Sequence, residues 1–171
     1  MKIRLAAEIQ TDSIVDGEGI RTVIWTQGCS HNCNGCHNPE THSFEGGFLV
    51  DIEDLEKQIL SVKNQDGITL SGGDPMFQPE ASAQIAKFCK ENGLNVWCYT
   101  GFTFEELLKT SEKNSKLREL LENIDVLVDG KFVLEEKSLN LYFKGSKNQR
   151  ILDMPKSLAQ KSAVEIEKYK G

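Results

Sequence analysis

Short apolar runs alternate with amphipathic stretches along most of this chain. Thr22-Val-Ile-Trp-Thr26 has the length and β-branched content of a buried strand. Asp51 then caps a helix in which Ile52, Leu55, Ile59 and Val62 recur at spacings of three and four. Gly67-Ile-Thr-Leu70 predicts a second strand, ending at Ser71-Gly-Gly-Asp-Pro75. Pro79 opens the next helix, with Ile85, Phe88 and Cys89 inward and Gly93 as its stop. Residues 94–99 predict a third strand, ending at Thr100-Gly101.

Thr103 and Glu106 form a capping box for a third helix. After a polar break at 111–115, Leu117, Leu120, Leu121 and Ile124 continue a helical face. Residues 125–128 predict another strand, running into Asp129-Gly-Lys131, and 139–143 and 149–152 two more around Lys144-Gly-Ser146. Pro155 opens a final helix. Alternation of this kind predicts βα units on a parallel sheet. The expected fold is α/β, an incomplete, open parallel β/α barrel of about five to six βα units in a single domain, 1–171. A closed barrel typically needs roughly 250 residues.

This parse has a consequence for function. Four predicted strands end in polar or glycine-rich segments: Gln27-Gly28-Cys29, Ser71-Gly-Gly-Asp74, Thr100-Gly101 and Asp129-Gly-Lys131. Ligands of parallel α/β sheets bind at the carboxyl ends of the strands. These four segments are therefore expected at one rim.

Composition sets the class. Hydrophobic residues make up 39% and charged residues 27%, as in ordinary globular domains, and no segment approaches a membrane span. The start, Met-Lys-Ile-Arg-Leu-Ala-Ala-Glu, is too soon charged for a signal peptide. Five cysteines, three of them crowded together, fit a reducing compartment better than a disulfide framework, so a cytoplasmic location is expected. The net charge is −6. Residues 1–130 carry 11 basic and 21 acidic groups, against 9 and 5 in 131–171. An acidic body argues against nucleic acid as the partner, and the basic tail reads as a solvated face.

The chemistry centres on Cys29, Cys33 and Cys36, which have three and then two residues between them. Such thiolates can converge on one soft-metal centre. Cys89 and Cys98 lie far along the chain in apolar surroundings and read as small core residues. Three cysteines on a cubane iron–sulfur cluster leave one iron open to a ligand that is not protein. A structural zinc site with His31, His37 or His42 as fourth ligand is the competing reading. The Ser71-Gly72-Gly73-Asp74-Pro75 run adds a close-approach backbone and one negative charge, which suits an ammonium group; alone, it is also an ordinary tight turn.

Together these motifs resemble the radical S-adenosylmethionine enzymes, and within them the activating proteins of the anaerobic, glycyl-radical ribonucleotide reductase. The matching stretches are Asp16-Gly-Glu-Gly-Ile-Arg21, Trp25-Thr-Gln-Gly-Cys29, Cys36-His-Asn-Pro39, Ser71-Gly-Gly-Asp-Pro75, Val128-Asp-Gly-Lys-Phe132 and Gly145-Ser-Lys-Asn-Gln-Arg-Ile151. The resemblance implies that Cys29, Cys33 and Cys36 ligate three irons of a 4Fe–4S cluster. S-adenosylmethionine chelates the fourth iron; Ser71, Gly72, Gly73 and Asp74 hold its methionyl end, and the backbone of Gly35, Cys36 and His37 packs on the nucleoside. One-electron cleavage then gives a 5′-deoxyadenosyl radical that abstracts hydrogen from a glycine of the anaerobic ribonucleoside-triphosphate reductase large subunit. A flavodoxin-type electron donor is implied as a further partner. Many such enzymes carry an aromatic residue where this chain has Gly35, so the adenine contact must come partly from elsewhere.

Thr100, Asp129 and Lys131 stand at strand ends as further ligand contacts, with surface solvation or a local ion pair as the plain alternative. Arg150 reads as a contact to a carboxylate or the partner. The three histidines read as loop packing, and Trp25 and Trp97 as core. Two other function classes stay open: another radical enzyme, such as a pyruvate formate-lyase activase or a deazaguanine-pathway synthase, and a non-enzymatic iron–sulfur or zinc module for electron transfer or binding.

Overall fold

A computed structural model of the chain describes residues 1–36, 39–138 and 140–170. Its strands are β1 (Lys2–Leu5), β2 (Gln10–Ser13), β3 (Arg21–Thr26), β4 (Phe48–Asp51), β5 (Gly67–Gly72), β6 (Asn95–Tyr99), β7 (Val126–Asp129) and β8 (Arg150–Asp153). Its α-helices are α1 (Ile52–Ser61), α2 (Pro79–Glu91), α3 (Phe104–Ser111), α4 (Ser115–Glu122) and α5 (Met154–Gln160). The strands form one sheet in the order β4-β1-β3-β5-β6-β7-β8, with β2 on the side of β3.

The open, mostly parallel α/β arrangement agrees with the sequence expectation, but the count of units does not. Parallel pairing joins β3, β5, β6 and β7. The pairing on both flanks is antiparallel: β4 on β1 and β1 on β3 at one side, and β8 on β7 with Asp129 opposite Arg150 at the other. Helical crossovers therefore connect four strands rather than five or six. Strand β8 returns beside β7 through a long irregular segment instead of a helix. Of the expected strand at 139–143, Leu139 lies outside the described residues and 140–143 form turns and bends. Strands β1 and β2 carry too few apolar residues to be seen in the pattern, and β4, apolar at three of its four positions, is short and mostly exposed.

Period-two alternation divides the strand residues between two faces. Ile24, Ile68, Leu70, Val96, Cys98, Leu127 and Leu152 join the core beneath the helices, with Leu55, Ile59, Ile85, Cys89, Phe104, Leu107, Leu120 and Leu121. Trp97, Val126, Val128 and Ile151 belong to a second cluster on the other face, with Tyr169 of the C-terminal tail. Arg21 is buried on that same face, its guanidinium 5.6 Å from the Trp97 ring centroid. It donates to Thr69 Oγ1 at 2.8 Å and to the carbonyls of Glu18, Ile68 and Asn95 at 2.8, 2.7 and 3.1 Å. Burial lowers its pKa to about 10, which leaves it charged at neutral pH. No helix among the described residues is long and apolar enough to cross a membrane.

Helix ends follow the sequence signals. Thr103 and Glu106 make the reciprocal capping box of α3. Gly93, at φ +76°, ends α2. Asp51 holds the N-cap position of α1 without a side-chain cap; the Ile52 N–H goes instead to the Met1 carbonyl, 3.0 Å away.

Candidate functional site

The loop after β3 is closed at its base by backbone. Gly28 N–H donates to the Thr41 carbonyl at 2.7 Å and Cys29 N–H to that of His42 at 3.1 Å. The buried Gln27 side chain reinforces this by donating to the carbonyls of Glu40 at 3.1 Å and Ser43 at 2.7 Å. Within the loop, the Cys36 N–H returns to the Cys33 carbonyl at 3.2 Å. The turn needs Gly35, which sits at φ +75° and would place a Cβ 2.9 Å from Leu134 Cδ1. His42 Nε2 lies 3.3 Å from Cys36 Sγ.

The three cysteines line one open cavity of about 370 Å³, together with Ser71, Gly72, Gly73, Thr100 and Gly101 at the ends of β5 and β6. Trp25 and Tyr99 share the sheet face of Arg21 and Trp97 and supply its aromatic wall, with Phe132 from the segment after β7. Asp16, His31, His42 and Gln149 add to the polar lining. Burial, with smaller effects from Asp74, Cys33 and Cys36, pushes the Cys29 thiol up to about 11. A metal must therefore displace a proton to use this sulfur. Among the described residues no three His, Cys, Asp or Glu side chains are gathered closely enough to hold a single ion. The thiols stand around a cavity instead, and three soft sulfur donors facing shared space fit an iron–sulfur cluster.

Asp74 is not in that lining. Its side chain is fully buried, with every carboxylate contact internal. Oδ1 accepts the Met76 N–H at 3.0 Å; Oδ2 accepts Thr100 Oγ1–H and the Gly101 N–H at 2.9 Å each and meets His31 Nε2 at 2.7 Å. In this structure the Asp74 carboxylate faces inward and braces the loops from behind. The paired glycines have a similar explanation. A Cβ on Gly72 would lie 2.3 Å from the Thr26 carbonyl oxygen, and one on Gly73 2.5 Å from that of Gly28 and 2.7 Å from that of Thr41. Their missing side chains make room for protein backbone, and that close approach brings β5 against the cysteine loop.

Asp129 and Lys131 also depart from expectation. They line a neighbouring depression of about 520 Å³ with Thr103, Glu105, Glu106, Asn148 and Arg150. The buried Asp129 carboxylate accepts the Phe104 N–H at 2.7 Å and two bonds from Arg150, at 2.5 and 3.0 Å. Arg150 reaches on to Glu105 at 2.7 Å. The local ion pair, the plainer alternative, describes Asp129. Gly35 faces Leu134 rather than the cavity, and His37 lies outside the described residues. Trp97 is core, but Trp25 is half-buried on the cavity wall, against expectation. Trp25 and Tyr99 were legible in principle, because strand parity puts them on the face of Ser71 at the same rim.

Comparison with known proteins agrees with the donor set. Residues 15–152 match the family described as a 4Fe-4S single cluster domain. The anaerobic ribonucleoside-triphosphate reductase-activating protein of Haemophilus influenzae is 35% identical over 150 residues, covering 81% of this chain and 90% of that protein. The protein of the same name from Pasteurella multocida is 38% identical over 149 residues, with the same coverage. The pyruvate formate-lyase-activating enzyme of Clostridium pasteurianum is 40% identical over 113 residues, covering 61% of this chain and 48% of that enzyme. Among solved structures, QueE from Escherichia coli is similar with a TM-score of 0.49 and 16% identity, over 60% of this chain and 54% of that one. On motif, donor set and similarity over most of its length alike, the chain belongs to the family of anaerobic ribonucleoside-triphosphate reductase-activating proteins.

Proposed function

We propose that this protein is a glycyl-radical activase that uses a reduced 4Fe–4S cluster and S-adenosylmethionine, and that its substrate is a glycine of the anaerobic ribonucleoside-triphosphate reductase. One observation carries the reading. Three cysteines share a cavity with the strand-end loops of β5 and β6, while Cys89 and Cys98 are fully buried in the helix-side core. All five cysteines are thereby accounted for, and a cluster on three of them leaves its fourth iron to a ligand outside the cysteine set.

When bound, the cluster and S-adenosylmethionine supply one-electron cleavage of a sulfonium and hydrogen-atom abstraction from the substrate glycine. The residues of this chain hold and orient. Cys29, Cys33 and Cys36 hold the cluster; the Ser71, Gly72 and Gly73 backbone holds the methionyl end; Thr100, Gly101, Trp25, Tyr99 and Phe132 surround the nucleoside. Phe132 and Tyr99 supply the aromatic surface that Gly35 lacks. Asp74 keeps the Thr100–Gly101 turn and the cysteine loop in fixed relation through its four internal contacts. A flavodoxin-type protein in the cytoplasm is the proposed electron donor.

The test is anaerobic reconstitution with iron and sulfide, followed by reduction in the presence of S-adenosylmethionine. A fully loaded cluster should release 5′-deoxyadenosine, and adding the reductase should give a glycyl-radical signal by electron paramagnetic resonance. No 5′-deoxyadenosine from a loaded cluster rejects the radical chemistry. A signal with pyruvate formate-lyase in place of the reductase moves the substrate to the second reading. That reading is supported by the 40% identity to a lyase activase, but over less than half of that enzyme.

A further inference from the structure

His42 is placed unlike the other described histidine. His31 also lines the cavity, but its Nε2 is taken up by Asp74 at 2.7 Å and its ring packs edge-on against Phe102 with centroids 4.5 Å apart. The His42 ring lines the cavity, and its Nε2 is within hydrogen-bonding distance of a sulfur that ligates the proposed cluster, 3.3 Å from Cys36 Sγ. Its backbone is fixed separately: the N–H donates to the Pro39 carbonyl at 3.2 Å, and the carbonyl accepts the Cys29 N–H at 3.1 Å. Exchanging the ring therefore leaves in place the backbone bonds that close the cysteine loop.

Resting on the cluster reading above, we infer that His42 is a positioning residue that donates an Nε2–H hydrogen bond to the Cys36 sulfur and raises the reduction potential of the cluster. A metal-bound thiolate has no proton to give, so a ring nitrogen held against it must be the donor. A neutral imidazole with its proton on Nε2 suffices. Reduction adds negative charge that is shared onto the ligand sulfurs, and a donor aimed at one of them stabilises the reduced state more than the oxidised one. Hydrogen bonds to sulfur are among the principal determinants of iron–sulfur potentials. The inference concerns the ease of loading an electron, not the identity of the substrate.

The experiment is a redox titration of the reconstituted cluster, followed by electron paramagnetic resonance without the reductase, in wild type, His42→Phe and His42→Gln. Phenylalanine keeps a ring without a donor; glutamine keeps an N–H. At a fixed solution potential, the reduced-to-oxidised ratio in His42→Phe should fall by up to about tenfold, about 59 mV for a one-electron couple. His42→Gln should recover most of that loss. Equal ratios in all three proteins overturn the inference, as does a fall in His42→Gln as deep as in His42→Phe. If His42→Phe cannot keep its cluster, retention in His42→Gln at the wild-type ratio supports the donor role, and loss from both variants makes His42 a loop support and overturns it. Strong nitrogen hyperfine coupling that is present in wild type and absent from His42→Gln would make His42 an iron ligand and also overturn it. A wild-type protein with no cluster signal removes the cluster reading itself, an outcome distinct from these.

Discussion

His31 Nε2 lies 2.7 Å from Asp74 Oδ2, and this contact joins the cysteine loop to the turn that follows β5. Because the same oxygen also accepts from Thr100 Oγ1 and the Gly101 N–H, one buried carboxylate ties together three loops from three strands. The carboxylate is paired entirely by the protein, which meets the cost of burying its charge.

Asp74→Asn should therefore disturb the site without touching a ligand. The amide keeps the shape but replaces one acceptor oxygen with a donor, which then faces either donors at Thr100, Gly101 and His31 or the Met76 N–H. Hydrogen bonds to charged groups contribute about 1.5–3 kcal/mol each, and a comparable loss of stability is expected for the variant. Urea unfolding of the apo protein measures it. An unchanged midpoint would show that the hub carries no energy.

Gly73, in the turn after β5, and Gly93, at the end of α2, can be separated by where a Cβ would go. Gly73→Ala places a methyl against two backbone oxygens, which cannot rotate away, and should cost about 1–3 kcal/mol and weaken cluster loading. Gly93→Ala meets nothing within 4 Å but stays at φ +76°, so it should cost about 1–2 kcal/mol and leave loading intact. Iron content per protein after reconstitution, set beside urea midpoints, distinguishes the two.

The rim was legible in the sequence because strand ends and glycine-rich segments coincide. Runs such as Thr22–Thr26 are apolar enough to declare themselves, and each ends where Cys29, Ser71 or Thr100 begins a loop. The antiparallel edges were not legible. Strand β1 has only four residues, two of them charged, and β2, which pairs with β3 alone, is mostly polar and exposed. The role of Asp74 was hidden for another reason. A carboxylate after two glycines has the same sequence whether it turns outward to a ligand or inward to Thr100 and His31. In the fold the Asp74 N–H is held on the Gly28 carbonyl at 2.9 Å and the carboxylate turns inward. His42 was noticed as a possible ligand or packing residue, but its approach to Cys36 depends on how the loop closes.

The cysteines divide by face. Cys33→Ala should abolish retention of the cluster, because the cavity holds no other cysteine to replace it. Cys89→Ala should leave iron content unchanged and cost about 1–3 kcal/mol, because Cys89 is fully buried between α2 and the sheet. Iron and sulfide analysis beside thermal melts checks both. Iron loss from Cys89→Ala without unfolding would contradict the division.

A last prediction concerns acid stability. Arg150 bridges the buried Asp129 and the exposed Glu105, and its hydrogen bonds hold the Glu105 carboxyl below its ordinary value of 4.5. A depressed carboxylate binds its proton less readily folded than unfolded. Its contribution is therefore present in full above about pH 4.5 and disappears as pH falls through the lower folded value. Glu105→Gln should be slightly less stable than wild type at neutral pH, and the gap should close on acidification below the ordinary carboxylate range. Because Glu105 is largely exposed, solvent and salt screen the pair, so the gap should also shrink with added salt. Urea midpoints of the two proteins between pH 7 and pH 3, at low and high ionic strength, measure it. A gap that widens in acid would mean that Arg150 does not hold Glu105 as its ionised partner.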